Sequence, residues 1–293
     1  MFYRGILLLS LGGLSGCSGS EKPLSATEES KRESVILGSH FDSRQCGDLQ
    51  GQVRWDGEKP RLEPVDFTRL LPGKGVFSKR FDNPHTPKID EQNRIGEAML
   101  FLREVNPQRS KPTPLSTVKV VFSDFEIHVA NSPSQRFGFH QEGTELEMES
   151  LDKTFRGLRA RGASFFTLMF PPESKRIQRK LSESGMIEFS SASGEYWTRA
   201  WVMVLAHPYG TLSDASGKFD LKEIPEGEYE LICWMPNWNL ERVELDVETG
   251  IRTRQFYKPA VEKVQKIQVR KGEISEATFQ FSWKDFSDLK SHP

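Results

Sequence analysis

Three cysteines, six histidines and a group of large aromatics near the C-terminus are the residues whose chemistry could define a function for this chain. Cys17 follows a basic start, Met1-Phe2-Tyr3-Arg4, an apolar block over 6–14, and the small residues Ser15 and Gly16. That order reads as a secretory signal with its cleavage point beside a thiol, because the block falls short of the roughly 20 apolar residues a membrane crossing needs. The other thiols, Cys46 and Cys233, form an even pair in an exported chain. The oxidising compartment this implies suggests a disulfide between them, with two buried free thiols as the alternative. His128 and His140 are the candidate metal ligands, although no two histidines have ligand spacing and single strand histidines commonly serve core or surface. Trp234, Trp238 and Tyr257, beside Phe256, could form a sugar-stacking platform or pack a sandwich core.

Common catalytic signatures are missing. There is no His-Glu-x-x-His, Gly-x-Ser-x-Gly, Walker loop or Cys-x-x-Cys. Asp214-Ala215-Ser216-Gly217 opens like a calcium loop but lacks the alternating donors and the distal glutamate, so it reads as a hairpin turn. The 40 basic and 41 acidic residues are spread without long runs of one sign, which argues against nucleic acid as a partner. The expectation is therefore a protein that binds rather than catalyses, with no cofactor.

The elements that must position these residues read as strands. Residues 18–45 are rich in Ser, Glu, Lys and Gly and are expected to form a flexible tether. From Cys46 onward the chain shows short apolar or alternating runs separated by turns. Leu49-Gln50-Gly51-Gln52-Val53-Arg54-Trp55 alternates, and Ala98-Met99-Leu100-Phe101-Leu102 is apolar throughout. Thr144-Glu145-Leu146-Glu147-Met148-Glu149 alternates strictly, and 197–206 forms a long closing strand. Residues 72–93 show no period and read as a surface excursion. The helical candidate follows Pro172, where Ile177 and Leu181 are four apart, with a basic exposed loop as the alternative. Strands end in explicit turns from His207 to Trp283, the last of them, Ala277-Thr278-Phe279-Gln280-Phe281-Ser282-Trp283, alternating cleanly.

Leu14-Ser15-Gly16-Cys17 resembles a bacterial lipobox, which implies cleavage before Cys17 and its acylation, and Ser18 after it implies the outer membrane. Trp197-Thr198-Arg199-Ala200-Trp201-Val202 and His207-Pro208-Tyr209, followed by Asp214-Ala215-Ser216-Gly217-Lys218-Phe219 and Ile224-Pro225-Glu226-Gly227-Glu228-Tyr229, resemble a cupredoxin-like β-sandwich followed by a carboxypeptidase regulatory-like domain. The latter is a transthyretin-like module grouped with carbohydrate-binding-like folds. Gly51-Gln52-Val53-Arg54-Trp55-Asp56-Gly57 looks like the opening strand of the first sandwich. At the positions where the resemblance implies copper ligands stand Arg156, Arg159, Glu195 and Thr198, and arginine does not coordinate cations. The resemblance thus implies an all-β chain of two antiparallel sandwiches. Its segments would be a signal peptide over 1–17, a tether over 18–45, a copper-free cupredoxin-like domain over 46–206, a carboxypeptidase regulatory-like domain over 207–284, and a tail over 285–293. The function it implies is a lipid-anchored envelope module facing the periplasm or the outside, binding an envelope protein or a polysaccharide. The alternatives are a carbohydrate-binding module and a copper electron-transfer protein.

Overall fold

The most apolar runs, Met99-Leu100-Phe101-Leu102, Trp201-Val202-Met203-Val204-Leu205 and Ile232-Cys233-Trp234-Met235, have no polar face, and such strands suit a sheet covered on both sides. The structure is a computed structural model describing residues 40–71, 75–248, 250 and 252–287, and it buries each run in this way. Leu100 and Leu102 enter one core while Met99 and Phe101 enter another. Leu231, Cys233 and Met235 likewise part from Ile232 and Trp234, and Ala200, Val202 and Val204 from Trp201, Met203 and Leu205.

The chain is nearly all strand. The first group is β1 (Cys46–Asp56), β2 (Val65–Leu71), β3 (Gly75–Phe81), β4 (Lys88–Ile89), β5 (Ile95–Gly96) and β6 (Met99–Arg103). Next come β7 (Lys119–Ser123), β8 (Glu126–Ala130), β9 (Phe137–Gln141), β10 (Glu145–Ser150), β11 (Arg156–Gly162), β12 (Phe166–Phe170), β13 (Ile177–Lys180), β14 (Gly185–Ser191) and β15 (Arg199–Leu205). The last group is β16 (Gly210–Leu212), β17 (Lys218–Pro225), β18 (Gly227–Met235), β19 (Leu240–Leu245), β20 (Arg252–Tyr257), β21 (Val261–Val269), β22 (Ile274–Ser282) and a short helix α1 (Trp283–Ser287).

Four larger sheets stack in order. Sheet β17-β1-β22 packs on β16-β6-β18-β21 through the first core, which runs from Leu49 to Phe286. Sheet β13-β10-β7-β8 packs on β12-β11-β14-β15-β9 through the second. The two inner sheets meet through Met99, Phe101, Phe137, Phe139, Trp201, Met203, Leu205, Ile232 and Trp234. Hairpins β2-β3 and β19-β20 are separate two-stranded ribbons.

The two sandwiches are nested, where the sequence reading set them in series. β6 pairs with β16 and β18, and β1 lies between β17 and β22, so the strands of 46–103 complete the sandwich of 210–282 and β7 to β15 form an insertion. The Gly51–Gly57 segment therefore opens the host sandwich rather than the inserted one. Its neighbours explain why: Leu49, Val53 and Trp55 on the central strand enter the host core beside Phe219 and Leu221 of β17 and Phe279 and Phe281 of β22.

Smaller expectations change as well. The excursion over 72–93 contains β3 and β4, the region after Pro172 is strand β13 rather than a helix, and the expected tail begins inside α1, where Phe286 is fully buried. The tether lies outside the described residues except for 40–45, where Ser43–Gln45 form a 3-10 turn capped by Asp42. The turn at 214–217 forms, with the Gly217 N–H donating to the Asp214 carbonyl at 2.9 Å, but it leads from β16 in one sheet to β17 in another and so does not close the expected hairpin. Asp214 Oδ1 accepts from the Ser216 and Lys218 N–H groups, and Gly217 adopts φ +71 where a Cβ would lie 2.6 Å from the Val53 carbonyl.

Candidate functional site

The alternation that fills the insert's core from one side of the five-stranded sheet aims the intervening residues out of the other side. Leu158 and Ala160 point inward on β11, which turns Arg159 and Arg161 outward. Ile187 and Phe189 turn Met186, Glu188 and Ser190 outward on β14, and Arg199 and Trp201 follow on β15. Strand register sets Arg161, Glu188 and Trp201 in one row and Arg159, Ser190 and Arg199 in the next.

Trp201, Met203 and Leu205 on this face are sealed by β6 and β18. Farther along, ribbon β19-β20 supplies the opposing wall with Arg254, Gln255, Phe256 and Tyr257, leaving a cavity of about 410 Å³ whose lining also includes His85, Trp234, Asn237 and Lys258. That volume is typical of small-molecule sites.

The cavity is basic and its polar groups are incompletely paired. Arg199 is 4 % exposed. It donates to the carbonyls of Tyr196 (3.3 Å), Thr198 (2.8 Å) and, across to the ribbon, Gln255 (2.9 Å). Its Nε has no hydrogen bond, the Glu188 carboxylate lying 3.3 Å away without the required alignment. Arg161 has a buried Nε without a partner and no acid beside it among the described residues, and its guanidinium lies 6.0 Å from the Phe256 ring. Arg254 lies 4.2 Å over the same ring, with Glu244 at 3.9 Å. Burial lowers the pKa of the adjacent Arg159, and the charges of Arg161 and Arg199 add to that depression.

His85 is 3 % exposed, stacked on Tyr257 at 3.7 Å and edge-on to Trp201 at 5.1 Å, and neither ring nitrogen makes a hydrogen bond. Burial, reinforced by Arg199 and Arg136 and opposed by the Asn237 backbone, holds its pKa well below the ordinary value, so the ring is neutral near pH 7. The Tyr257 hydroxyl donates to Gln255 Oε1 at 2.7 Å.

The structure divides the residues singled out from the sequence. Trp234 and Tyr257 line the cavity, but Trp238 is in the host core, stacked on Phe286 at 3.9 Å, so the three do not form one platform. Cys46 and Cys233 are not joined and both thiols are free and buried. Cys46 opens β1 opposite Pro225, where its thiol donates to the Asp42 carbonyl, whereas Cys233 lies within β18 of another sheet, opposite Leu100. His140 is buried with its Nε2 3.0 Å from Thr144 Oγ1, and His128 lies on β8 beside a second cavity that also includes Glu126 and Asp82. Among the described residues no group of three or more His, Cys, Asp or Glu converges on a metal position. Arg156 and Glu195 form a buried ion pair, Thr198 Oγ1 accepts from the Ile127 N–H at 2.6 Å, and Arg159 flanks the arginine cavity. Cys17 lies outside the described residues.

Sequence reasoning missed His85, Arg161, Glu188, Arg199 as a site residue, and Trp201. His85 lies in a turn, and the one signal for the others was alternation, as in Leu158-Arg159-Ala160-Arg161, which also describes any strand with one face in water.

Fold and site together define an all-β protein of stacked sandwiches with an arginine- and aromatic-lined cavity. The chain matches no protein-family model and no curated protein. Among solved structures it is similar to a novel purple cupredoxin from Nitrosopumilus maritimus, with 9 % identity and a TM-score of 0.24 over 30 % of this chain and 98 % of that one.

Proposed function

We propose that this is a non-catalytic binding protein of the cell envelope, held by lipid at Cys17 to the outer membrane on its periplasmic or external side, and that its ligand occupies the arginine- and aromatic-lined cavity. In this reading the insert is a cupredoxin-like sandwich without copper and the host is a carboxypeptidase regulatory-like sandwich. One observation carries it: His85 and Arg199 are almost wholly buried in the lining of a cavity large enough for a small molecule, and neither ring nitrogen of His85 has a hydrogen-bond partner. A buried donor without a partner costs about 1–3 kcal/mol. A fold that holds several around one space gains when a ligand accepts from them.

A carbohydrate-binding role is a second reading of the same site, favoured by Trp201, Trp234 and Tyr257 around one cavity. Native mass spectrometry of the protein isolated from its own envelope tests the binding role. The expectation is a bound small molecule that is absent from Ser190→Leu, whose larger side chain fills the space. A ligand-free spectrum of the native protein would reject it. Cys17→Ala tests the anchor and should abolish lipid labelling and block normal processing, whereas an unmodified Cys17 in the intact mass of the native protein would reject it.

A further inference from the structure

The charges lining the cavity do not balance. Arg161, Arg199, Arg254 and Lys258 face a single carboxylate, Glu188. Lys258 Nζ reaches the Ser287 carbonyl at 3.2 Å and Arg254 has only a distant acid, Glu244. Arg161 has none. Desolvating a guanidinium without a counter-charge is unfavourable, and like charges held close together raise that cost. An anion bound among them would relieve it. A bound cation would add to it, and a neutral molecule would leave it unchanged.

Preorganisation points the same way. Three main-chain carbonyls fix the Arg199 plane, and its Nε makes no hydrogen bond, with the Glu188 carboxylate 3.3 Å away. Arg161 stands two strands away on the same face with its buried Nε lacking a hydrogen-bond partner, and a planar guanidinium suits an oxyanion in a way an ammonium does not. His85, neutral, adds one N–H donor. The rest of the lining is aromatic: Trp201, Trp234, Phe256 and Tyr257 present ring surface and edges to whatever carries the charge.

We infer that the cavity takes a small organic anion: a carboxylate or phosphate seated between Arg161 and Arg199, carried on a ring of about monosaccharide size that packs against the aromatic wall. This rests on the binding role proposed above and names its ligand class.

Isothermal titration calorimetry with four probes tests it: glucuronate, glucose 6-phosphate, glucose and inorganic phosphate. The protein is the full chain without its signal and lipid, as wild type, Arg161→Gln and, as a charge control on an exposed residue elsewhere, Arg270→Gln. One or both charged sugars should bind, more tightly than glucose by about tenfold or more, and weaken as salt rises. Arg161→Gln should lose a similar factor while Arg270→Gln loses none. The Arg161 side chain makes no hydrogen bond among the described residues, so its variant should remain folded, which its melting curve checks. Glucose binding as tightly as glucuronate, or an Arg161→Gln affinity equal to wild type, would overturn the anion and leave the binding role intact. Inorganic phosphate binding as tightly as both sugars would overturn the ring. Silence from all four probes would overturn the inference, and the native mass spectrum judges the binding role independently.

Discussion

Removing the guanidinium of Arg156 should cost the insert about 3–5 kcal/mol, the usual penalty for stranding a buried charge partner. Arg156 is 4 % exposed and makes two ion pairs, from Nε to Asp152 at 2.6 Å and from Nη1 to Glu195 at 3.2 Å, where the carboxylates are 12 % and 5 % exposed. Its guanidinium also lies 4.5 Å from the Phe125 ring and 5.4 Å from Phe122. The two acids in turn hold the surrounding loops: Asp152 accepts from the Asp124 N–H at 2.7 Å, and Glu195 accepts from Ser191 and from Ser193 at 2.7 Å. Arg156→Met preserves most of the volume and leaves both carboxylates buried without their counter-charge. Adding Glu195→Met to that variant removes one stranded charge, so the double variant should be less destabilised than the two single losses summed, by a coupling of about 1–3 kcal/mol. Urea denaturation of the wild type and the three variants at pH 7 completes the cycle. A single-variant loss below about 1 kcal/mol, or strict additivity, would refute the view that this guanidinium is the internal counter-ion of the loops around it.

Three further outcomes are expected. Burial lowers the His207 pKa from 6.5 to about 4, and because the unfolded chain takes up this proton first, stability present above pH 6.5 falls between pH 6.5 and 4, by about 3 kcal/mol. His207→Asn, which can keep an acceptor for the Tyr209 N–H, should flatten the pH dependence of the urea midpoint by that amount, and an unchanged slope would count against it. Copper(II) should produce neither intense thiolate-to-metal absorption nor a rise in melting temperature, since both described thiols sit in the host sandwich and a guanidinium lies between Asp152 and Glu195 in the insert. Cys46 and Cys233 should resist a thiol reagent in the native protein and both react once it is unfolded, because burial raises both thiol pKa values; a mass shift of a disulfide in non-reduced protein would contradict this.

Alternation and turns made the strand content legible, and with it the all-β class. Alternation does not state which strands pair, and nesting hid the architecture. Gln52 on β1 pairs with Lys218 at the start of β17 and bonds to the Ser216 carbonyl 164 residues away, and a local pattern carries no information at that range. The apolar runs at 99–102 and 201–205 did announce burial on both faces, but a reading in series supplied no second sheet to cover them. The three aromatics suffered similarly: composition cannot separate Trp234, at the sheet junction, from Trp238 four residues later in the host core. The disulfide expectation relied on compartment and parity, and neither controls whether two Cβ atoms meet.

The nesting also accounts for the cavity. The five-stranded sheet of the insert presents a continuous outer face, and the host covers the apolar part of it with β6 and β18, where Trp201 and Met203 meet Phe101 and Trp234. The remaining strands of that face carry arginines and Glu188, which a second apolar sheet could not cover without stranding their charges. A polar ribbon can. β19 and β20 pair only with each other, so they gain no support from a larger sheet, and two-stranded ribbons are marginal alone. What ties this roof to the floor is polar: Arg199 donates to the Gln255 carbonyl, and the Arg161 guanidinium of the floor lies 6.0 Å from the Phe256 ring that Arg254 also approaches. The same guanidinium groups therefore hold the ribbon and line the space beneath it, which makes the ribbon the part of the molecule most directly coupled to whatever binds there.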